Sequence, residues 1–382
     1  MTARARRGRS SQRTQPRAGW GGGLLDGLSW VLKLMPALVL LATAPTTTTK
    51  LGFPAGASNS AGCSSSVESV ALIGGETVDA ATIDRDPLSL LPGGVILLGY
   101  LDAVTLWRTD LGPDVTKLAQ NLIPLGPEAN FVPSRDVVKI YGGVYAMQGA
   151  DFCMVVQGHF DVDAIQRSAE ARVMTTSGVP LVKTRYAGND LFTAGNVGFV
   201  VLTSNTLLSG NETGMRRALD RLRFSKLERS VPMWMSDLTS TPNASFTLAG
   251  DFGTQVPMDA LVHHAPFMAG LRQLRILGNF HSPGVNFAGT LTYADAQGAA
   301  SGAQSLRSVQ SVAQLMGLLS SLGFGGSLPT MQVRQEDRDV QFTLPVDGRY
   351  ASFLLRLGIA ATSPIPSGAT PAPIQPRGNM GR

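Results

Sequence analysis

The sequence predicts an α+β fold: repeated strand–strand–helix units that form antiparallel or mixed sheets with helices on one face. Three observations carry that expectation. The 382 residues are 43% hydrophobic, enough for a real core, yet include 43 Gly, 23 Pro and only 15% charged side chains, a texture of many turns between short elements. An apolar strand, a turn of Asp, Asn or Gly, and a helix recur in that order along the body. A further strand precedes several copies, and their unequal spacing excludes a regular solenoid.

In order, the first unit is Val137–Met147, Phe152–Phe160, the turn Asp161-Val162-Asp163 and a helix over Ala164–Arg172. The second is Leu181–Thr193, Gly198–Leu208, Gly210-Asn211-Glu212 and a helix over Gly214–Phe224. A third pairs the strand Ser245–Phe252 with a helix over Pro257–His264. The fourth runs Leu274–Phe280, Val285–Tyr293, Asp295 and a long helix to Leu322, whose Leu306, Val309, Val312, Leu315 or Met316, and Leu319 mark one buried stripe. The fifth is Met331–Gln335, a polar hairpin tip over Gln335–Asp339, Val340–Leu344 and a helix over Tyr350–Leu357. The Asp or Asn before each helix supplies a side-chain oxygen to the unpaired amides of its first turn. Pro232 and Pro242 flank a Ser/Thr-rich stretch that divides the body into halves, 67–230 and 231–360. The Pro-rich tail 361–382 is expected to be disordered.

Ahead of this body stands a targeting segment, residues 1–66. Arg4, Arg6, Arg7, Arg9, Arg13 and Arg17 precede an apolar run, Leu28–Ala44, broken by Lys33 and Pro36. A small, polar, flexible spacer then leads to Ser60-Ala61-Gly62-Cys63. Basic, then apolar, then small and polar is the order of an export signal or membrane anchor. Three versions stay open: cleavage near Ala42-Thr43-Ala44, a retained transmembrane helix, or lipidation of Cys63. About seventeen apolar residues is short against the roughly 20 of a spanning helix, and Cys63 lies well beyond the end of the run. Either way the segment predicts a cell-envelope protein, anchored or secreted.

Charge divides sharply along the chain. Residues 1–50 hold eight cations against Asp26, and the tail adds Arg377 and Arg382, so the net +5 of the chain leaves 51–360 at −4. An acidic body lacks the concentrated Lys and Arg that phosphate backbones demand, which excludes general nucleic-acid binding. The basic end orients a membrane segment instead. Within the body, Arg216, Arg217, Arg221 and Arg223, continuing to Lys226 and Arg229, form a basic stripe opposite Met215, Ala218, Leu219 and Leu222. Such a stripe is either a solvated face or a contact for anionic lipid headgroups.

Catalytic and metal motifs are not evident. His263 and His264 are adjacent, so on a helix they diverge by about 100° and do not share a metal comfortably; His159 and His281 stand apart. There is no Gly-x-Ser-x-Gly elbow, phosphate-binding Gly-Lys-Ser/Thr loop or His-Glu-x-x-His. Gly195-Asn196-Val197-Gly198 joins two strands and reads as a hairpin turn, while Asp161 and Asp163 stand where helix caps belong. Cys153, in Phe152-Cys153-Met154-Val155-Val156, reads as a buried inert thiol, with a single bridge to Cys63 as the alternative.

The runs Tyr186-Ala187-Gly188-Asn189-Asp190-Leu191-Phe192-Thr193, Asn211-Glu212-Thr213-Gly214-Met215-Arg216-Arg217-Ala218-Leu219-Asp220 and Ile276-Leu277-Gly278-Asn279-Phe280 resemble segments of lipoprotein-like bacterial envelope proteins of no known activity. The resemblance covers most of residues 88–358 and implies an envelope location, no catalytic residues and no cofactor. The reading that follows is a non-catalytic binding or structural module held at or exported across the membrane, with a protein partner or an apolar ligand. Its alternative is an exported hydrolase, which would gather His159, His281 and acidic residues around one cleft.

Overall fold

The computed structural model describes residues 69–71, 77–120, 127–146, 151–171, 180–195, 197–253, 262, 265–282, 284–316, 330–352 and 355–356. The apolar run 28–44, Cys63, His263, His264, most of the third expected helix, residues 317–322 and the tail 361–382 lie outside the described residues. Among the described residues, no helix is long and apolar enough to cross a membrane.

Strands dominate. β1 (Ser69–Ala71) and β2 (Thr77–Asp79) form a short antiparallel ladder. Twelve more build one sheet: β3 (Leu97–Asp102), β4 (Val137–Ala146), β5 (Asp151–Gly158), β6 (Leu181–Tyr186), β7 (Asn189–Ala194), β8 (Val197–Val201), β9 (Thr206–Gly210), β10 (Phe246–Asp251), β11 (Leu271–Asn279), β12 (Gly284–Tyr293), β13 (Gln332–Glu336) and β14 (Asp339–Asp347). Their order is β13-β14-β12-β11-β10-β3-β4-β5-β9-β8-β7-β6, with every neighbouring pair antiparallel. The strands up to β9 meet those from β10 onward through the β3–β10 ladder, where Phe246 lies opposite Leu101 and Gly250 opposite Leu97.

The fold is therefore α+β with an antiparallel sheet, but it is sheet-led rather than a string of equivalent strand–strand–helix units. Two expected single strands are hairpins. Leu181–Thr193 splits into β6 and β7 around Ala187 (φ 50°) and Gly188 (φ 83°), the two positive φ values of a tight two-residue turn. Gly198–Leu208 splits into β8 and β9, where Thr203 Oγ1 accepts the N–H groups of Asn205 at 3.0 Å and Thr206 at 2.9 Å. β7 and β8 form a hairpin with Ala194 opposite Val197 and Gly195 at φ 63°, and the hairpin tip before Asp339 forms with Asp337 at φ 50°.

Helices on one face alone also fails, for a reason visible in β5. Phe152, Met154 and Val156 point into one cluster with Leu106, Phe131, Ile165 and Phe192, while Cys153 and Val155 point into another with Ile83, Leu90, Met215 and Leu219. Both faces are covered: one by the helices Ala103–Trp107 and Val162–Ala171, the other by Ala80–Arg85, Glu212–Arg223 and Met233–Thr239. A strand buried on both faces reads as a continuous apolar run, which is what Phe152–Val156 is. β14 behaves differently: Val340 and Val346 are buried while Gln341 and Thr343 are exposed, so that end of the sheet has a wet face. Ala299, Ala303 and Leu306 of the helix Ala296–Met316 cover its other side against Leu274, Leu291 and Tyr293.

Caps fall where expected. Asp161 Oδ1 accepts from Ala164 N at 3.0 Å, Asn211 Oδ1 from Gly214 N at 3.0 Å, and Asp295 Oδ1 from Gly298 N at 2.7 Å.

Candidate functional site

A polar cavity of about 320 Å³ opens on the face that carries the helix Met233–Thr239. Its floor comes from strand alternation. Tyr100 on β3 lies directly across the ladder from Tyr141 on β4, and Lys139, two residues before Tyr141, shares the same face. The two rings sit 5.1 Å apart at 44°. Arg85, Asp86, Pro87 and Leu88 wall one side, where the helix Ala80–Arg85 breaks into a 3₁₀ turn, Pro87–Leu90, that Asp86 starts by accepting from Ser89 N and Ser89 Oγ. Thr239, Ser240, Thr241 and Ala244 close the other side, and Arg229 crosses between them.

Three cations thus line the cavity against one carboxylate. Arg229 Nε donates to Asp86 Oδ2 at 2.7 Å, and Asp86 Oδ1 is enclosed without a hydrogen-bond partner among the described residues. Arg85 and Lys139 have no ion-pair or hydrogen-bond partner among the described residues. Burial, Tyr100 and the carboxylates of Asp86 and Asp102 push the Tyr141 phenol up to about 12, against a smaller downward pull from Arg229. Burial and Asp102 raise Tyr100 as well. Both phenols remain protonated donors at neutral pH.

None of the residues singled out as sites in the sequence builds this cavity, apart from Arg229 at the end of the basic stripe. Its other cations carried a weak signal: Lys139-Ile140-Tyr141 is a strand triplet that places its outer pair on one face, and Tyr100 becomes their neighbour only through the β3–β4 register.

The four arginines of the stripe have separate surroundings. Arg217 reaches across to β5 and the Leu91–Val95 connection, pairing with Asp151 at 2.9 Å, donating to Gly93 O at 2.8 Å and stacking on Tyr145 at 4.7 Å. Arg221 donates to Ser89 O at 2.9 Å, Ser230 Oγ at 2.7 Å and Glu228 O. Those two staple the helix to its neighbours. Arg216 pairs with Glu212 at 2.5 Å over Tyr186, and Arg223 lies over the exposed Phe224 ring.

The remaining candidates do not converge. His159 and His281 are exposed and lie outside the cavity lining, on turns after β5 and β11 respectively. Asp161 is a solvent-facing cap held low by the Ala164 amide and Asn130. Cys153 is a free, fully buried thiol that burial pushes up to about 12.

No family model matches the chain, and no curated protein matches it. Solved structures of TP0453 match along most of their own length. Crystal form I covers 72% of this chain and 97% of that one at 11% identity and a TM-score of 0.43. Crystal form III covers 71% and 97% at 10% identity and 0.42, and crystal form IV covers 73% and 97% at 11% and 0.39. Likeness at these scores carries no inference for this chain.

Proposed function

We propose that this is an envelope-directed bacterial protein whose α+β body is a non-catalytic binding module, held at or exported across the membrane by its N-terminal segment. The observation that carries the reading is the cavity, because its groups are suited to holding a ligand rather than to bond chemistry. It offers cations and hydroxyl donors, its carboxylate is engaged by Arg229, and its phenols titrate far above neutral pH. The exported hydrolase would want a base beside a nucleophile, and the exposed His159 and His281 lie away from the cavity. The envelope part of the reading is supported by the order basic, apolar, small-and-polar over residues 1–66. The ligand this reading favours is small and polar, in place of the protein partner or apolar ligand expected from the sequence.

Membrane fractionation with lipid labelling of the wild type and of Cys63→Ser tests the location. Recovery in the envelope or outside the cell is expected, and label lost in Cys63→Ser would select the lipidated version. Full-length protein in the cytosolic fraction for both chains would overturn the envelope reading.

A further inference from the structure

We infer that the Tyr100–Tyr141 cavity receives the phosphate-monoester head of a small molecule. The inference deepens the binding-module reading and rests on it. Its warrant is a charge left over inside a shaped, donor-lined space. Arg229 and Asp86 compensate each other at 2.7 Å. That leaves Arg85 and Lys139, which have no partner among the described residues, facing one cavity. Of the carboxylates outside the lining, Asp237 acts electrostatically on Arg229, and Asp102 lies across the ladder from Lys139. Asp102 accepts from Thr105 at both oxygens, from its N–H at 3.2 Å and from its hydroxyl at 2.7 Å.

Two uncommitted cations match the charge of a phosphate monoester, which carries about −1.5 to −2 at neutral pH, whereas a lone carboxylate leaves one of them uncompensated. The remaining lining suits the same head. Tyr100, Tyr141, Ser240 and Thr241 bring hydroxyl donors from two sides, and three or four donors spread over a concave surface fit a tetrahedral anion better than a planar one. The helix end nearby does not spoil the site: the Asp237 and Leu238 carbonyls accept from the N–H groups of Ser240 and Thr241. The cavity, about 320 Å³, lies at the small end of ligand sites, large enough for the head and a short stem.

The same head occurs on soluble phosphate esters and on phosphatidic acid, so the test includes both. The full-length chain, solubilised in detergent, is titrated calorimetrically at low salt with inorganic phosphate, glycerol phosphate, acetate and dihexanoyl phosphatidic acid. Binding of the phosphates, and weaker binding of acetate, is expected. Lys139→Met and Arg85→Gln should each weaken phosphate binding by about tenfold, the loss of one charge-assisted contact, with the thermal midpoint unmoved. Lys226→Met, which removes an exposed cation outside the cavity, should leave it unchanged. Short-chain phosphatidic acid binding at least about tenfold tighter than glycerol phosphate would identify a lipid headgroup as the source, and equal affinity a soluble ester. Silence of the wild type toward every phosphate, equal loss in Lys226→Met, or no loss in either cavity variant would overturn the inference. A cytosolic chain that still binds phosphate would remove the envelope reading alone; an envelope chain that binds none would remove this one alone.

Discussion

Asn211 joins the Glu212–Arg223 helix to β5 through a single atom, its Oδ1 accepting both the Gly214 N–H at 3.0 Å and the Phe152 N–H at 3.1 Å. Both bonds are buried, and the Asn211 N–H closes the arrangement on Phe152 O at 3.2 Å. The space is equally tight: a Cβ on Gly214 would stand 2.1 Å from Phe152 O. Asn211→Ala orphans two buried donors and is expected to cost about 2–4 kcal/mol in urea unfolding. Asn211→Asp keeps the acceptor and should recover most of that loss. Equal losses in the two variants would mean that the side-chain oxygen is not what holds the joint.

The double covering of β5 predicts that neighbouring residues are equally intolerant. Met154 and Val155 are each at most 1% exposed, in opposite clusters. Met154→Ala should lower stability by about 2–4 kcal/mol and Val155→Ala by about 2 kcal/mol, from lost burial and residual cavity. Thr343→Ala, on the wet face of β14, should stay within about 0.5 kcal/mol. A large loss in only one of the β5 variants would indicate a sheet covered on a single side.

Alkaline pH should destabilise the protein in a defined window. Cys153 is raised from 9.0 to about 12 by burial, and Tyr141 and Tyr293 from 10.0 to about 12, chiefly by burial. The folded state holds these protons more tightly than the unfolded chain does, so the stabilisation is whole below about pH 9 and is lost as pH rises toward 12. Each group in its titration window steepens the loss by about 1.4 kcal/mol per pH unit. Melting curves recorded from pH 7 to pH 12 should stay level and then fall, and a fall already complete by pH 9 would contradict the assignment. In a Cys63→Ser background, thiol reagents at pH 8 should label Cys153 only after denaturant is added.

Within the basic stripe, Arg217 should matter to the fold far more than Arg216. Arg217→Lys keeps a charge but loses the fork that spans Asp151 and Gly93 O, along with the ring contact on Tyr145, for an expected loss of about 1–2 kcal/mol. Arg216→Gln removes a pair with an exposed Glu212 and should cost no more than about 0.5 kcal/mol. Matched urea midpoints for the two variants would contradict the staple.

Local rules explain which parts were legible in advance. Asp161, Asn211 and Asp295 were readable as caps because a cap is decided within three residues, and the β7–β8 hairpin and the tip before Asp339 are equally short-range. The Phe152–Val156 run was readable as a strand, and its unbroken apolarity already held the signal for two covered faces. The hairpins hidden in Leu181–Thr193 and Gly198–Leu208 were missed because strands of five or six residues on a meander leave little periodicity to count.

The candidate site lay beyond that reach. The chain alone determined a β-rich α+β body, the caps at Asp161, Asn211 and Asp295, an acidic middle and a basic, then apolar N-terminal segment, all properties of composition or of neighbours in sequence. Only the tertiary structure decided that Tyr100 faces Tyr141, that Arg229 meets Asp86 across 143 positions, and that Arg85 and Lys139 are left facing the same cavity. Those meetings depend on the antiparallel register of β3 on β4 and on where the chain returns after the Glu212–Arg223 helix. A register is chosen by the whole buried face at once, so no short window of sequence contains it.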